Sequence, residues 1–353
     1  MFRSKRHSLV KRLWKHRLIN DETQSATETP EELELKSVAH TMLKRLKEKQ
    51  LDILVQSVES KGGENTECVL LPKEHVRVGR RSFSHHNLCC RLWRWPDLSQ
   101  EAELKRLSCC NTVNDPGYVC CNPYHWSLLL KPDTTVADQT RTHEQIERVK
   151  ITDELLRVNE STETGMTPTT RRCTYSDSVN AMSGPHWCNI AYWEQRQRVG
   201  RLFTVFEPSI SIFQVLPHGD GMCLEILQQD SNLESVRRTR EKIGFGIILS
   251  QEGDGVWVYN RSLFPIFVNS PTLELPNSRM LVVRKVMPGY SIKMFDYEEA
   301  EALERTRDPL QYDGPYDPSS IRISFAKGWG PCYSRQFVTS CPCWVEILLN
   351  INR

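Results

Sequence analysis

Apolar residues near the start of the chain recur at helical spacing, and those in its second half recur at strand spacing. Leu35, Val38, Met42 and Leu46 lie three and four residues apart, which places them on one helix face. LDILVQSVES continues as a second helix, and Gly62-Gly63 stops it. CVLLPKEHV reads as a short strand, and EAELKRL as a short helix. Residues 1–18 form a basic amphipathic stretch, in which Arg3, Lys5, Arg6, Lys11, Arg12, Lys15 and Arg17 surround Leu9, Val10, Leu13, Trp14 and Leu18. It reads either as a nuclear-import or surface-binding segment or as a solvated basic helix. Residues 20–32 are acidic and polar, as linkers are. Between about Lys131 and Pro185 the chain is rich in Thr, Ser, Glu and Asp. It holds too few large apolar residues to offset its ordering entropy, so it predicts a linker with one helix at IERVKITDELLRV.

From Trp187 the pattern changes. NIAYWEQRQRVGRLFTVF alternates around turn residues, and IGFGIILSQEGDGVWVYN holds two β-rich runs joined at Gly253-Asp254-Gly255, a hairpin signal. RMLVVRKVM, SIRISFAKG and RQFVTSCPCWVEILL add strands. SNLESVRRTREKIG predicts a helix capped by Ser231 or Asn232 and stopped by Gly244. Many strands with few helices predict a β-sandwich carrying helical additions.

Composition narrows the class. With 353 residues, 39% apolar and 25% charged, the chain is long enough for two globular domains. A net charge of only +2 means that any basic surface must be local. No apolar run approaches the roughly 18 residues a membrane span needs, and the basic start lacks the apolar core of a secretory signal. The expected setting is cytosolic or nuclear, where thiols stay reduced. Thirteen cysteines there point to metal ligation or buried thiols before disulfides. Phosphate-loop, dinucleotide, nucleophile-elbow and HExxH signatures are missing, so the sequence gives no sign of an enzyme.

Cysteine and histidine cluster between Cys68 and His125. Cys120 stands five residues before His125 across a Pro-bearing turn, which can put thiolate and imidazole on one tetrahedral ion. Cys110 and Cys68 would complete a closed, structural set of zinc type. The doubled cysteines Cys89-Cys90, Cys109-Cys110 and Cys120-Cys121 leave the ligand choice open, and buried free thiols are the competing reading.

RLWRWPDL followed by VCCNPYH resembles the N-terminal Mad-homology domain of the Smad family. HWCNIAYWE, RVGRLFTV, DGVWVYNRS, FPIF, PGYSIKMFDY, SFAKGWG and RQFVTSCPCW resemble its C-terminal counterpart. The resemblance implies an α+β multidomain chain with four parts. Residues 1–32 are a basic segment and acidic linker, and 33–131 a small zinc-binding α/β N-terminal Mad-homology domain. Residues 132–184 are a linker. Residues 185–353 are a β-sandwich C-terminal Mad-homology domain with helical bundle and loop-helix additions.

Three features resemble the inhibitory branch: the opening MFRSKRHSLVKRLWKHRL, the Cys-Cys pairs, and a final stretch after Trp344 without the Ser-x-Ser tail that receptor kinases phosphorylate. The resemblance implies Cys68, Cys110, Cys120 and His125 as ligands of one structural zinc ion. Cys110 is preferred to Cys109 because it keeps the family's distance from Glu103-Leu104-Lys105.

For the C-terminal domain it implies docking of phosphoserine segments. The loop Lys327-Gly328-Trp329-Gly330 would supply a point charge and close backbone approach. Lys293, Tyr333 and Arg335 would lie nearby. Ser334 stands where receptor-activated members carry a basic residue, which is expected to weaken homotrimer formation and spare receptor docking.

The implied role is inhibition of TGF-β/BMP-type signalling in cytoplasm and nucleus. The partners would be type I receptor kinases and receptor-activated and common-mediator Smads. The alternative is a zinc-containing, DNA-binding nuclear corepressor. The hairpin span HVRVGRRSFSHHNL is shorter than the DNA-reading form, so Arg77, Arg80, Arg81, His85 and His86 are expected to contact phosphates at most, giving weak, salt-dependent binding. No Pro-Pro-x-Tyr motif occurs, so ubiquitin ligases would need another route.

Overall fold

The computed structural model describes residues 5–18, 30–78, 80–99, 102–112, 115–130, 185–217, 220–227, 233–274, 281–306 and 317–351. The chain opens with helices α1 (Lys5–Lys15), α2 (Pro30–Arg45) and α3 (Glu48–Glu59). Strands β1 (Leu70–Pro72), β2 (His75–Val78) and β3 (Arg81–Ser84) follow, then α4 (His85–Trp93), β4 (Leu104–Arg106), β5 (Tyr118–Cys120), a 3-10 turn at Pro123–His125 and β6 (Trp126–Leu129). The second half begins with β7 (Cys188–Glu194), β8 (Gln197–Val205), β9 (Ser209–Phe213) and β10 (Gly221–Cys223), followed by α5 (Glu234–Ile243), β11 (Ile247–Glu252) and β12 (Gly255–Asn260). It continues with β13 (Ile266–Asn269), β14 (Arg284–Val286), β15 (Tyr290–Asp296), α6 (Tyr297–Thr306), β16 (Ser320–Phe325) and β17 (Trp344–Leu349). None of the described helices is long and apolar enough to cross a membrane.

The apolar stripes of α2 and α3 turn inward as their spacing predicts. Met42, Leu43, Leu46, Leu51 and Leu54 are buried with Phe83, Leu88 and Trp93 in the N-terminal core. The basic stretch is neither free nor merely solvated. Leu9 and Leu13 of α1 are buried in that same core, and Trp93 donates its indole N–H to the Leu13 carbonyl. Lys5 and Arg12 pair with Asp52 and Glu59 of α3. EAELKRL is not a helix: Leu104–Arg106 forms β4 on β6. Seven residues are too few to hold a helix without packing, and a neighbouring strand captured the backbone instead.

In the second half, a six-stranded sheet ordered β14-β13-β16-β17-β7-β8 faces a sheet that includes β10-β9-β11-β12-β15. One core lies between them, from Tyr192, Ile321 and Ile347 on one side to Leu249, Val256 and Ile292 on the other. The β11–β12 hairpin turns at Gly253-Asp254, as the sequence predicts. Helix α5 begins at Glu234, after Leu233 rather than a side-chain cap. Ser231 and Asn232 lie outside the described residues, as does IERVKITDELLRV. RMLVVRKVM keeps only β14, and RQFVTSCPCWVEILL only β17.

One pairing has no counterpart in the sequence reading. Strand β6 of the N-terminal half runs parallel to β15, with Tyr290 opposite Leu128 and Ser291 opposite Leu129. Because β4 pairs with β6, the second sheet becomes seven-stranded, and both halves contribute to it.

Gly246 enters β11 at φ +70°, where a Cβ would stand 1.9 Å from the Ile212 carbonyl oxygen. Gly246→Ala is therefore expected to cost at least about 1–3 kcal/mol from left-handed backbone strain alone, read as a lower urea midpoint. An unchanged midpoint would show that the β9–β11 contact yields freely.

Candidate metal centre and anion-binding loop

The metal candidates sit on short, weakly self-sufficient segments held by one buried amide. Asn122 is fully buried. Its Oδ1 accepts from Ser57 Oγ of α3 at 2.6 Å and from the Tyr124 amide at 3.1 Å. Its Nδ2 donates to Thr66 Oγ1 at 2.8 Å and to the Glu67 carbonyl at 3.2 Å. The 3-10 turn and the segment before β1 are thereby fixed to one helix.

This fastening gathers Cys68, Cys110, Cys120 and His125, whose ligand atoms all lie within 4.8 Å of one another. His125 Nδ1 stands 3.5 Å from Cys68 Sγ and 3.4 Å from Cys120 Sγ, and the sulfurs of Cys68 and Cys110 are 4.0 Å apart. His125 Nε2 faces the Thr66 carbonyl at 3.0 Å. A carbonyl only accepts, so Nε2 carries a hydrogen, and Nδ1 is the nitrogen turned toward the sulfurs. Burial disfavours the imidazolium, yet the neighbouring Cys110 and Cys68 sulfurs outweigh it and push His125 up to about 9. Three sulfurs and an imidazole so placed could hold a metal ion. Within the doubled cysteines, the geometry takes Cys110 and Cys120. Cys121 instead donates toward the Val119 carbonyl, and Cys89 packs on the Met42 sulfur.

The hairpin β2–β3 exposes Arg77, and Arg80 lies exposed in its turn. His85 and His86 leave the expected phosphate-contacting set. His85 is fully buried, with Nδ1 2.9 Å from the Pro72 carbonyl. His86 stacks on Trp126 at 4.4 Å, and burial reinforced by Arg106 holds it down to about 4. Both belong to the start of α4, where the domain core reaches them.

In the C-terminal half, the loop after β16 is braced from below. Trp329 is 2% exposed and packs with Phe267, Cys341 and Trp344, so it props the loop rather than facing a ligand. Tyr333 packs against Gly328, where a Cβ would lie 2.5 Å from its ring, and meets Phe267 edge-on at 5.3 Å. The Lys327 carbonyl accepts from Ser324 Oγ at 2.7 Å, and Gly330 N–H donates to the Arg335 carbonyl at 2.7 Å. Burial, Lys242 and Arg335 hold the Lys327 ammonium below the usual lysine range. Lys242 lies in the last turn of α5 with its ammonium 5.2 Å from the centre of the Phe264 ring. Sequence reasoning missed it, because α5 is brought to the loop only by tertiary packing. Among the described residues, no carboxylate pairs with Lys242, Lys327 or Arg335. Lys293 is paired with Asp254 at 2.7 Å and Asp296 at 2.9 Å.

Comparison with known proteins supplies the family. Residues 35–130 match the MH1 domain and residues 185–350 the MH2 domain. The chain is 54% identical to Mothers against decapentaplegic homolog 6 of Gallus gallus over 330 residues, covering 91% of this chain and 76% of that protein. It is 45% identical to Mothers against decapentaplegic homolog 7 of Homo sapiens over 338 residues, covering 90% of this chain and 79% of that one. With both domain families in order and these two relatives along most of its length, the chain belongs to the inhibitory Smads.

Proposed function

We propose that this chain inhibits TGF-β/BMP-type signalling by docking on the phosphorylated type I receptor kinase and denying it to receptor-activated Smads. The observation that carries the reading is the convergence of Lys242, Lys327 and Arg335 around one backbone-rich loop without a carboxylate among the described residues to neutralise them. Like charges held together relax when an anion arrives, and a phosphoserine segment brings about two negative charges and three acceptor oxygens. The mechanism is competition, so occupancy follows the ratio of concentration to Kd. Capture of receptor-activated or common-mediator Smads would use the same surface. Action in cytoplasm and nucleus, and ligase recruitment by a route other than Pro-Pro-x-Tyr, belong to this reading. The nuclear corepressor reading rests on the exposed Arg77 and Arg80 as phosphate contacts, enough for weak, salt-dependent DNA binding.

Cys68, Cys110, Cys120 and His125 hold one structural zinc ion in this reading. A tetrahedron with Zn–S of about 2.3 Å and Zn–N of about 2.0 Å has S···S and S···N edges of about 3.8 and 3.5 Å, against the 4.0, 3.5 and 3.4 Å measured here. Four protein ligands leave no position for water, so the ion would supply cross-linking and no catalysis.

The test is binding of the whole chain to a type I receptor kinase domain, phosphorylated and unphosphorylated, beside Lys327→Glu. Binding is expected to need receptor phosphate and to fall more than about tenfold in the variant, roughly 1.4 kcal/mol or more. Equal binding to both receptor forms would sink the mechanism.

A further inference from the structure

The two strands that join the halves, β4 and β6, also adjoin the metal candidates. His125 is followed directly by Trp126, the first residue of β6, and β6 is the strand that lies on β15 of the C-terminal half. Cys110 is fastened to the same ribbon: its amide donates to the Leu107 carbonyl at 3.0 Å, and the Leu107 amide to the His125 carbonyl at 2.9 Å. Leu107 directly follows β4. A metal bridging Cys110 and His125 therefore clamps the two strands at one end.

The other faces of those strands grip the C-terminal half. Leu128 and Leu130 donate their amides to the Gly289 and Ser291 carbonyls at 3.0 and 2.9 Å. Ser291 Oγ donates to Ser127 Oγ at 2.7 Å. Lys105 reaches Glu252 at 2.6 Å and lies 4.0 Å from the centre of the Trp257 ring, with its side chain only 16% exposed. Arg94 donates to the carbonyls of Pro123 and Trp126, inside and just after the turn that carries His125. It also donates to the Tyr259 hydroxyl at 2.8 Å, and its guanidinium lies 4.0 Å from the centre of the Trp95 ring.

From this arrangement we infer that the metal centre is a clasp for the domain joint: loading it seats the β4–β6 ribbon on the β15 edge, and emptying it loosens the two halves from each other. The inference rests on the zinc reading above. Linkage makes the coupling reciprocal. If the ion stabilises the joint, breaking the joint from the C-terminal side must weaken the ion, by a factor typically between about 5 and 150. No C-terminal residue is among the ligands, so a merely local metal site would not respond.

The experiment is zinc affinity of the whole chain by chelator competition, in wild type, Glu252→Lys, Tyr259→Phe, the charge-swapped pair Lys105→Glu/Glu252→Lys, and Glu241→Lys as a remote charge control. Glu252→Lys is expected to weaken zinc at least about fivefold, and the swapped pair to recover affinity. Tyr259→Phe should move the same way by less, and Glu241→Lys should leave affinity unchanged. Recovery in the swapped pair separates coupling from a general loss of folding. Equal affinity in wild type, Glu252→Lys and Tyr259→Phe would overturn the clasp and leave the zinc reading standing. Failure of the wild type to bind zinc would overturn the zinc reading and the clasp with it.

Discussion

Stripping zinc from the chain, or replacing Cys120 by serine, is expected to abolish the native thermal transition of the N-terminal domain or to lower it by at least about 15 °C. The four ligands come from segments that cannot hold themselves. Cys68 precedes a three-residue strand, Cys120 ends another, Cys110 follows a third and His125 closes a single 3-10 turn. The β1–β5 pair is two-stranded, and a pair of this size is marginal in water. Structural zinc contributes an apparent 10–16 kcal/mol or so at neutral pH, comparable to the whole stability of an ordinary domain. Losing even about 4 kcal/mol shifts a domain of this size by roughly 15–30 °C. Differential scanning calorimetry with and without chelator reads it, with the exposed Cys332→Ser as a control that should not move. A transition that stays within a few degrees after chelation would show that the helical core carries the domain alone.

Arg240→Ala is expected to destabilise the C-terminal half by about 3–5 kcal/mol. Arg240 and Glu194 are 9% and 10% exposed and meet fork to fork, Nε to Oε1 at 2.7 Å and Nη2 to Oε2 at 2.8 Å. The Tyr192 hydroxyl donates to the same carboxylate at 2.9 Å. Truncating the arginine leaves a nearly buried carboxylate with one hydroxyl in place of a guanidinium, which is the costly way to break such a pair. Replacing both partners by apolar residues of similar volume, Arg240→Met with Glu194→Leu, should recover much of the loss, since a buried pair offsets its own desolvation only in part. Urea denaturation should show the single variant's midpoint lower by more than about 1 M. The effect extends to binding, because this pair anchors α5 two residues before Lys242. A single variant that melts like wild type would mean that water reaches Glu194 and replaces the arginine.

Local signals were the legible ones. The spacing of Leu35, Val38, Met42 and Leu46 announced α2, and Gly253-Asp254-Gly255 announced its hairpin, because both depend on residues close along the chain. The clustering of Cys68, Cys110, Cys120 and His125 was visible as composition. The choice within each Cys-Cys pair rested on resemblance, and the structure places Cys110 and Cys120 at the centre. Features set by distant partners were not legible. EAELKRL has helical spacing but lies beside β6. Arg12 and Lys5 read as part of a nuclear-import or surface-binding segment or of a solvated helix, although Leu9 and Leu13 on the same helix had a core to fill. His85 and His86 read as surface cations because nothing in their neighbours announces Trp126 or the Pro72 carbonyl. Lys242 was missed for the same reason, and the pairing of Lys293, placed near the phosphate site by resemblance, with Asp254 and Asp296 was equally invisible.

The shared sheet also constrains how the protein is made. Leu128 leaves the ribosome well before its partner Tyr290, a gap of about 8–30 s at 5–20 residues per second. During that interval the β4–β6 ribbon has finished its own domain yet presents an unpaired strand edge, the kind of surface that recruits other chains. Synthesis of this protein therefore includes a window of aggregation risk that closes only when the second half arrives, and slow translation or chaperone shortage would widen it.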